Sequence, residues 1–157
     1  MAPRPQSAGS DPVADAVARG VDKPMIERLV RHFYANVRAD PKLGPVFAAR
    51  IADWEPHLQR MCAFWGAVML RTGAYHGQPM AMHARLPVDA SYFDRWLELF
   101  EASAQQVCAE AAPLFVARAR TIAQSLELGV ATSRGAILRS DERLAAPAME
   151  TTAASAS

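Results

Sequence analysis

Length, composition and charge exclude several classes of protein. The chain has 157 residues, of which 51% are hydrophobic, and this is enough for one domain with a core of its own. Lys and Arg number 17 against 16 Asp and Glu, so the net charge is +1, and the basic residues are scattered singly. This pattern argues against nucleic acid as a partner.

The chain predicts one domain between two loose ends. Residues 1–18 are rich in small residues and proline and are expected to form a disordered extension. Residues 19–130 form the predicted domain, and residues 131–157 are expected to be a frayed helix end followed by a tail. No segment alternates apolar and polar residues for long enough to predict a strand, so we expect an all-α fold.

Apolar spacing predicts four long helices in chain order. The first spans about 22–38 and the second about 53–71, each with an aspartate at its start as a candidate cap. The third spans about 89–109, again after an aspartate. The fourth spans about 113–128, with Gly129 as a candidate C-cap, and the residues beyond it either extend this helix or fray.

A short segment between two prolines carries one histidine. Pro79 suits the first turn of a helix, and Pro87 stops the helix, because it disfavours helical geometry at the preceding residue. Met80, His83 and Leu86 recur at every third position and therefore share a face. A histidine in such a stripe is more often a core residue than a metal ligand, so the segment alone leaves both interpretations open.

Four hydrogen-bonding side chains fall on apolar stripes, namely Tyr34, His57, His83 and Trp96. Taken singly, the aromatic residues are more often core residues and His57 is more often exposed. Together they pose a problem, because a buried donor or acceptor without a partner costs about 1–3 kcal/mol. One cofactor that carries a small polar ligand would give several of them a partner.

The cysteines and the longest apolar run predict a cytoplasmic protein without a membrane partner. Cys62 and Cys108 belong to no C-x-x-C pair and are expected to be free thiols in a reducing compartment. The run 61–70 has about half the length of a membrane span. Residues 1–20 lack the continuous apolar core of a secretory signal.

Several motifs follow one another between about residues 22 and 128. They are Phe33-Tyr34-x-x-Val37-Arg38, Leu43-Gly44-Pro45-Val46-Phe47, Trp54-x-x-His57, Phe64-Trp65, Gly73-x-Tyr75-x-Gly77-x-Pro79-Met80-x-x-His83-x-x-Leu86-Pro87 and Phe93-x-x-Trp96-Leu97-x-Leu99-Phe100. In order and spacing they resemble the truncated haemoglobins, and the third group of that family in particular. The glycine-rich pairs typical of the other two groups are not evident.

The resemblance implies a shortened, globin-like fold in which a two-over-two helical sandwich encloses haem b, iron protoporphyrin IX. It implies His83 as the ligand of the iron. It places Tyr34, His57 and Trp96 on the opposite, distal side of the haem. The residues implied in cofactor binding are His83, Tyr34, Phe33, His57, Arg60, Met61, Met80 and Trp96. Of these, Phe33 and Met61 are expected as apolar walls and Arg60 as a partner of a haem propionate, a role that Arg85 or His76 could fill instead.

The implied function is binding of dioxygen, or of NO, CO or peroxide, with slow release. Slow release suits redox or NO and oxygen chemistry better than transport. Enzyme activity stays open, with a peroxidase or an NO dioxygenase as alternatives, and each needs a reductase or another external reductant because the chain has no flavin or nicotinamide motif. An alternative of another class is a haem-free helical module for interaction or sensing.

Overall fold

The computed structural model of the protein describes residues 11–73, 77, 83 and 86–147. These residues form six helices and no strand, which confirms the predicted all-α class. The helices are α1 (Pro12–Ala18), α2 (Lys23–Ala39), α3 (Leu43–Ala48), α4 (Trp54–Leu70), α5 (Ala90–Cys108) and α6 (Ala112–Ser133). None of the helices in the described ranges is long and apolar enough to cross a membrane.

Helix α1 corrects the expectation that residues 1–18 are disordered throughout. Asp11 accepts a hydrogen bond from the backbone N–H of Val13 at 3.1 Å, and Pro12 occupies the first turn. Ala16 is buried, and α1 packs against α4. The helix is short, so it depends on this packing rather than on its own propensity.

The long helices start where their caps predict. Asp22 accepts a hydrogen bond from the Met25 N–H at 2.8 Å, and Asp89 accepts one from the Ser91 N–H at 2.8 Å. Asp53 precedes α4 but makes no capping hydrogen bond. Helix α6 continues past Gly129 to Ser133, so the C-cap expected at Gly129 is wrong, and the glycine with positive φ that follows this helix is Gly135.

The helices form two layers that meet through α2 and α5. Helix α2 packs against α3, α4 and α5, and α5 packs against α6. Trp65 on α4 and Trp96 on α5 both stack on the ring of Phe100, with centroid distances of 4.9 and 5.4 Å. Phe33 meets Phe100 edge-on at 5.3 Å. The α2–α4 pair over the α5–α6 pair is the expected two-over-two arrangement.

A buried carboxylate fixes the turn from α2 into α3. Asp40 accepts two hydrogen bonds from the Arg95 guanidinium, at 2.8 and 2.9 Å, and one from the Leu43 N–H at 2.9 Å. Burial alone would raise the pKa of Asp40, but the bonds from Arg95 and the backbone outweigh burial and lower it. Gly44 permits the close approach of the two helices, because a Cβ there would lie 2.8 Å from the Arg38 carbonyl oxygen.

After α6 the chain folds back as a strap, residues 135–147, which contains a turn at residues 140–141 and runs along the start of α5. Leu144 is buried, and its carbonyl oxygen accepts a hydrogen bond from the Ala90 N–H at 2.9 Å. Leu138 packs into the same small cluster, which also contains Val88 and Val130. The strap therefore closes the end of the molecule at which residues 86–90 enter α5.

Candidate functional site

A cavity of about 380 Å³ lies between the two helical layers. Each of the helices α2 to α6 contributes to its wall, and His83 and Leu86 complete it. Most of the lining side chains are apolar, and examples are Phe47, Phe64, Phe93, Ile122 and Leu126. Its size and lining are typical of sites that enclose a small molecule or a cofactor.

Tyr34 brings a phenol to the cavity from α2. The residue is 5% exposed, and its ring meets Phe47 at 5.9 Å and His57 at 5.0 Å. Burial, together with the neighbouring Cys62 thiol, raises the pKa of Tyr34 far above its ordinary value. The phenol therefore stays protonated and can act as a hydrogen-bond donor into the cavity.

His57 brings an imidazole to the same place from α4. Its ring is nearly perpendicular to that of Tyr34 and to that of Trp54, at 5.0 and 5.7 Å. Its Nε2 atom is buried and has no hydrogen-bond partner among the described residues. Burial, followed by the charges of Arg60 and His83, lowers the pKa of His57 to about 4, so the ring is neutral at pH 7.

Trp96 and Met61 also line the cavity. The Trp96 ring on α5 stacks on Phe100 and meets Phe33 edge-on at 5.4 Å, which fixes its plane. Met61 lies one turn after His57 on α4 and supplies a flexible apolar wall. Phe33 itself does not line the cavity but packs behind Tyr34 and Trp96, because the next residue of a helix points about 100° away.

His83 lines the cavity from the segment between α4 and α5. The residue is helical and half-buried, and its carbonyl oxygen accepts a hydrogen bond from the Leu86 N–H at 3.1 Å. Met80, His76 and Arg85 lie outside the described residues, so their expected roles stay predictions. The structure thus brings Tyr34, His57, Met61, His83 and Trp96 to one cavity.

A second cavity of about 320 Å³ adjoins the first and shares His57, Arg60 and His83 with it. Arg60 is exposed, and Arg50 and Asp53 also line this cavity. Two guanidinium groups at the edge of an apolar cavity suit the carboxylates of a ligand that lies mainly in the apolar part.

Some lining residues were not among the predicted site residues. Tyr92 lies four residues before Trp96, so helical spacing could have found it. Its ring also faces the Lys42 ammonium at 4.2 Å. No local signal placed Arg50 at a cavity. The apolar stripe of α6 indicates that Ile122 faces inward, but its place in the cavity wall depends on how distant helices pack.

The residues fit the haem that the resemblance implies. A flat apolar group would occupy the apolar cavity, and the imidazole of His83 is a suitable type of ligand for its iron. The buried His57 Nε2 has no protein partner in the described chain, which a ligand carried by such a group would provide. The guanidinium groups of Arg50 and Arg60 suit its propionates.

Comparisons with known proteins agree with this arrangement. Residues 19–123 match the model of the family described as bacterial-like globin. The chain is 36% identical over 88 residues to "Group 3 truncated hemoglobin ctb" of Campylobacter jejuni, a match that covers 53% of this chain and 69% of that protein.

Two solved structures are also similar. The crystal structure of the group III truncated haemoglobin from Campylobacter jejuni has a TM-score of 0.64 and 34% identity, and the match covers 68% of this chain and 88% of that one. The structure of a triple mutant of ASV-TfTrHb has a TM-score of 0.51 and 21% identity over 82% of this chain and 95% of that one. The second likeness concerns the fold alone.

The buried imidazole gives the cofactor-free protein a pH dependence that a variant can remove. The pKa of His57 is about 4 in the folded chain and 6.5 in the unfolded chain, so only the unfolded chain takes up this proton between these values. The free energy of unfolding therefore falls as the pH falls from about 6.5 to about 4. His57→Leu should remove part of this fall, as measured by urea unfolding at several pH values. Met61→Leu, a neighbour without a titrating group, should keep it, and an equal fall in His57→Leu would contradict the assignment.

Proposed function

Because this chain belongs to the bacterial-like globin family, as a truncated haemoglobin of the third group, we propose that it binds haem b through His83. Its proposed ligand is dioxygen, or another small molecule such as NO, CO or peroxide, held on the side of Tyr34 and His57. The observation that carries the proposal is the meeting of Tyr34, His57, His83 and Trp96 on one apolar cavity.

Haem, when bound, supplies the iron at which small ligands bind and electrons are exchanged. The chain supplies the environment. His83 would hold the iron, and Arg60 with Arg50 would hold the propionates at the polar mouth. The apolar wall keeps water away from the rest of the cavity, which strengthens every hydrogen bond inside it.

Tyr34 and Trp96 are the proposed donors to the ligand. Tyr34 keeps its proton because its pKa is raised, and the indole N–H of Trp96 is a donor only. Both rings are held by aromatic contacts, so the donors need little rearrangement when a ligand arrives. Donors fixed in a dry cavity favour ligands that carry partial negative charge and slow their release.

The proposed bond between His83 and the haem iron is tested by His83→Gly. We expect the purified wild-type protein, loaded with haem, to show an intense Soret band with the spectrum of an imidazole-ligated haem. In His83→Gly this spectrum should be lost and should return when imidazole is added, because imidazole can occupy the space that the side chain leaves.

His32→Gly is the matched control, because His32 hydrogen-bonds with Gln106 and does not line the cavity. It should retain the wild-type spectrum. A wild-type protein without a Soret band, or a His83→Gly spectrum identical to that of the wild type, would instead favour the haem-free helical module.

The proposed donor role of Tyr34 is tested by Tyr34→Phe. Loss of the hydroxyl should speed dioxygen release about tenfold, which corresponds to about 1.4 kcal/mol for one lost hydrogen bond. Stopped-flow measurement of the dissociation rate checks this. Tyr92→Phe, the same change on α5 in the same cavity, should leave the rate unchanged, and an unchanged rate in Tyr34→Phe would refute the donor role.

A second candidate function is reduction of peroxide, and the state of His57 favours it. A neutral imidazole whose buried nitrogen has no partner among the residues described can accept a proton from a peroxide in the cavity and return it to the leaving oxygen. Reduction of hydrogen peroxide to water takes two electrons and two protons, so an external reductant is part of this proposal.

We also propose that the protein is cytoplasmic, because its two free cysteines suit a reducing compartment.

Turnover of hydrogen peroxide with a reducing dye separates this candidate from simple ligand binding. If His57 moves the proton, His57→Leu should lower kcat/KM on the order of a hundredfold or more, the usual size of general acid–base effects. Met61→Leu should stay close to the wild type. Equal turnover of peroxide in His57→Leu and the wild type would exclude the role of His57. Turnover of NO with a reductase would instead favour the alternative function, NO dioxygenase.

A further inference from the structure

One arginine at the end of α6 binds three backbone carbonyl groups. Arg134 Nη2 donates to the carbonyl oxygen of Leu86 at 2.7 Å and to that of Val88 at 2.8 Å. Its Nη1 donates to the carbonyl oxygen of Ala145 at 3.1 Å. One side chain therefore joins the end of α6, the segment before α5 and the C-terminal strap.

The geometry of the segment explains why one nitrogen reaches two carbonyl groups. Residues 86–89 are not helical, and in an extended chain the carbonyl groups of residues i and i+2 point to the same side. Pro87 lies between them and has no N–H to donate. Arg134 thus satisfies acceptors that no helix or sheet satisfies, with a planar fork of donors that lysine lacks.

A second set of bonds holds the strap itself. Glu127 is 7% exposed and accepts hydrogen bonds from Arg143 Nε at 2.8 Å and from the Leu144 N–H at 3.0 Å. Arg143 also donates to Asp94 on α5 at 2.8 Å. The strap is therefore bonded to both α5 and α6, and the strap in turn accepts a hydrogen bond from Arg134 through the Ala145 carbonyl oxygen.

The carbonyl groups that Arg134 holds belong to the chain that leads out of His83. The Leu86 N–H donates to the His83 carbonyl oxygen at 3.1 Å, so the two residues are joined directly. Leu86 and Val88 line the same cavity as His83. A shift of this segment would move His83 relative to the cavity.

We propose that Arg134 is a positioning residue for His83, and that it sets the distance and orientation of the imidazole through Leu86 and Val88. The proposal rests on the proposed function, in which His83 holds the haem iron. Arg134 and the strap lie beyond residues 19–123, the part of the chain that matches the family model.

The test compares Arg134→Gln and Arg134→Lys with the wild type, all loaded with haem. Glutamine is expected to lose the bonds to the two cavity-lining carbonyl groups, and lysine to keep a charge without the planar fork. Arg120→Gln is the matched control, because Arg120 lies on the helix that Arg134 ends, is exposed and forms an ion pair with Glu101 at 3.7 Å. Glu127→Gln loosens the strap without touching Arg134, so it perturbs the support independently.

Three measurements are made on each protein. They are the rate of haem transfer to excess apomyoglobin, the iron–histidine stretching band in resonance Raman spectra of the ferrous form, and hydrogen exchange of the Leu86 amide. We expect Arg134→Gln to lose haem about tenfold faster, to shift or broaden the stretching band and to exchange the Leu86 amide faster. Arg134→Lys should be intermediate, Glu127→Gln should change in the same direction, and Arg120→Gln should match the wild type.

A role of Arg134 in stability alone would lower the melting temperature and leave the stretching band of the folded protein unchanged, which would overturn the proposal. An unchanged band in Arg134→Lys would overturn it even if Arg134→Gln does not fold. Failure of the proposed function has a different signature, because the wild type would then show no iron–histidine band at all. That outcome would overturn both proposals.

Discussion

A buried imidazole nitrogen that has no hydrogen-bond partner in the described part of the chain is the constraint on which the rest of the structure depends. His57 Nε2 is buried beside Tyr34 in a cavity whose walls are mostly apolar. An unsatisfied buried polar atom costs about 1–3 kcal/mol, and stable cores avoid it. The cost is understandable if a bound group occupies the cavity, and the proposed haem with a small polar ligand would occupy it.

The scaffold keeps this cavity open by holding its walls at several separate points. Asp40 and Arg95 fix the turn into α3, which brings Phe47 to the cavity. The stacked rings around Phe100 hold Trp96 from the other layer. Arg134 holds the segment that follows His83. The apolar wall thus belongs to a rigid frame, and a rigid frame keeps the donors pointed at the place a ligand would occupy.

Local signals predicted the starts of α2 and α5 and the polar side chains on apolar stripes that the structure brings to one cavity, whereas features set by tertiary packing were missed. The caps Asp22 and Asp89 could be predicted, because a capping hydrogen bond joins residues that lie only two or three positions apart in the sequence. The burial of Glu127 has no local signal, because its partners Arg143 and Leu144 lie on the strap that returns from the end of α6. Gly129 was a plausible helix end, but packing of Val130 and Ala131 carries α6 further. The resemblance implied Phe33 as a cavity wall, whereas the turn of α2 places it behind Tyr34.

The most direct test of this account is a crystal structure of the protein loaded with haem, with cyanide as a ligand. We expect the haem between α4 and the His83 segment, with the His83 imidazole bound to the iron. The cyanide should lie on the side of Tyr34 and His57, within hydrogen-bonding distance of the Tyr34 hydroxyl. Haem bound outside this cavity, or iron held by a residue other than His83, would contradict the account.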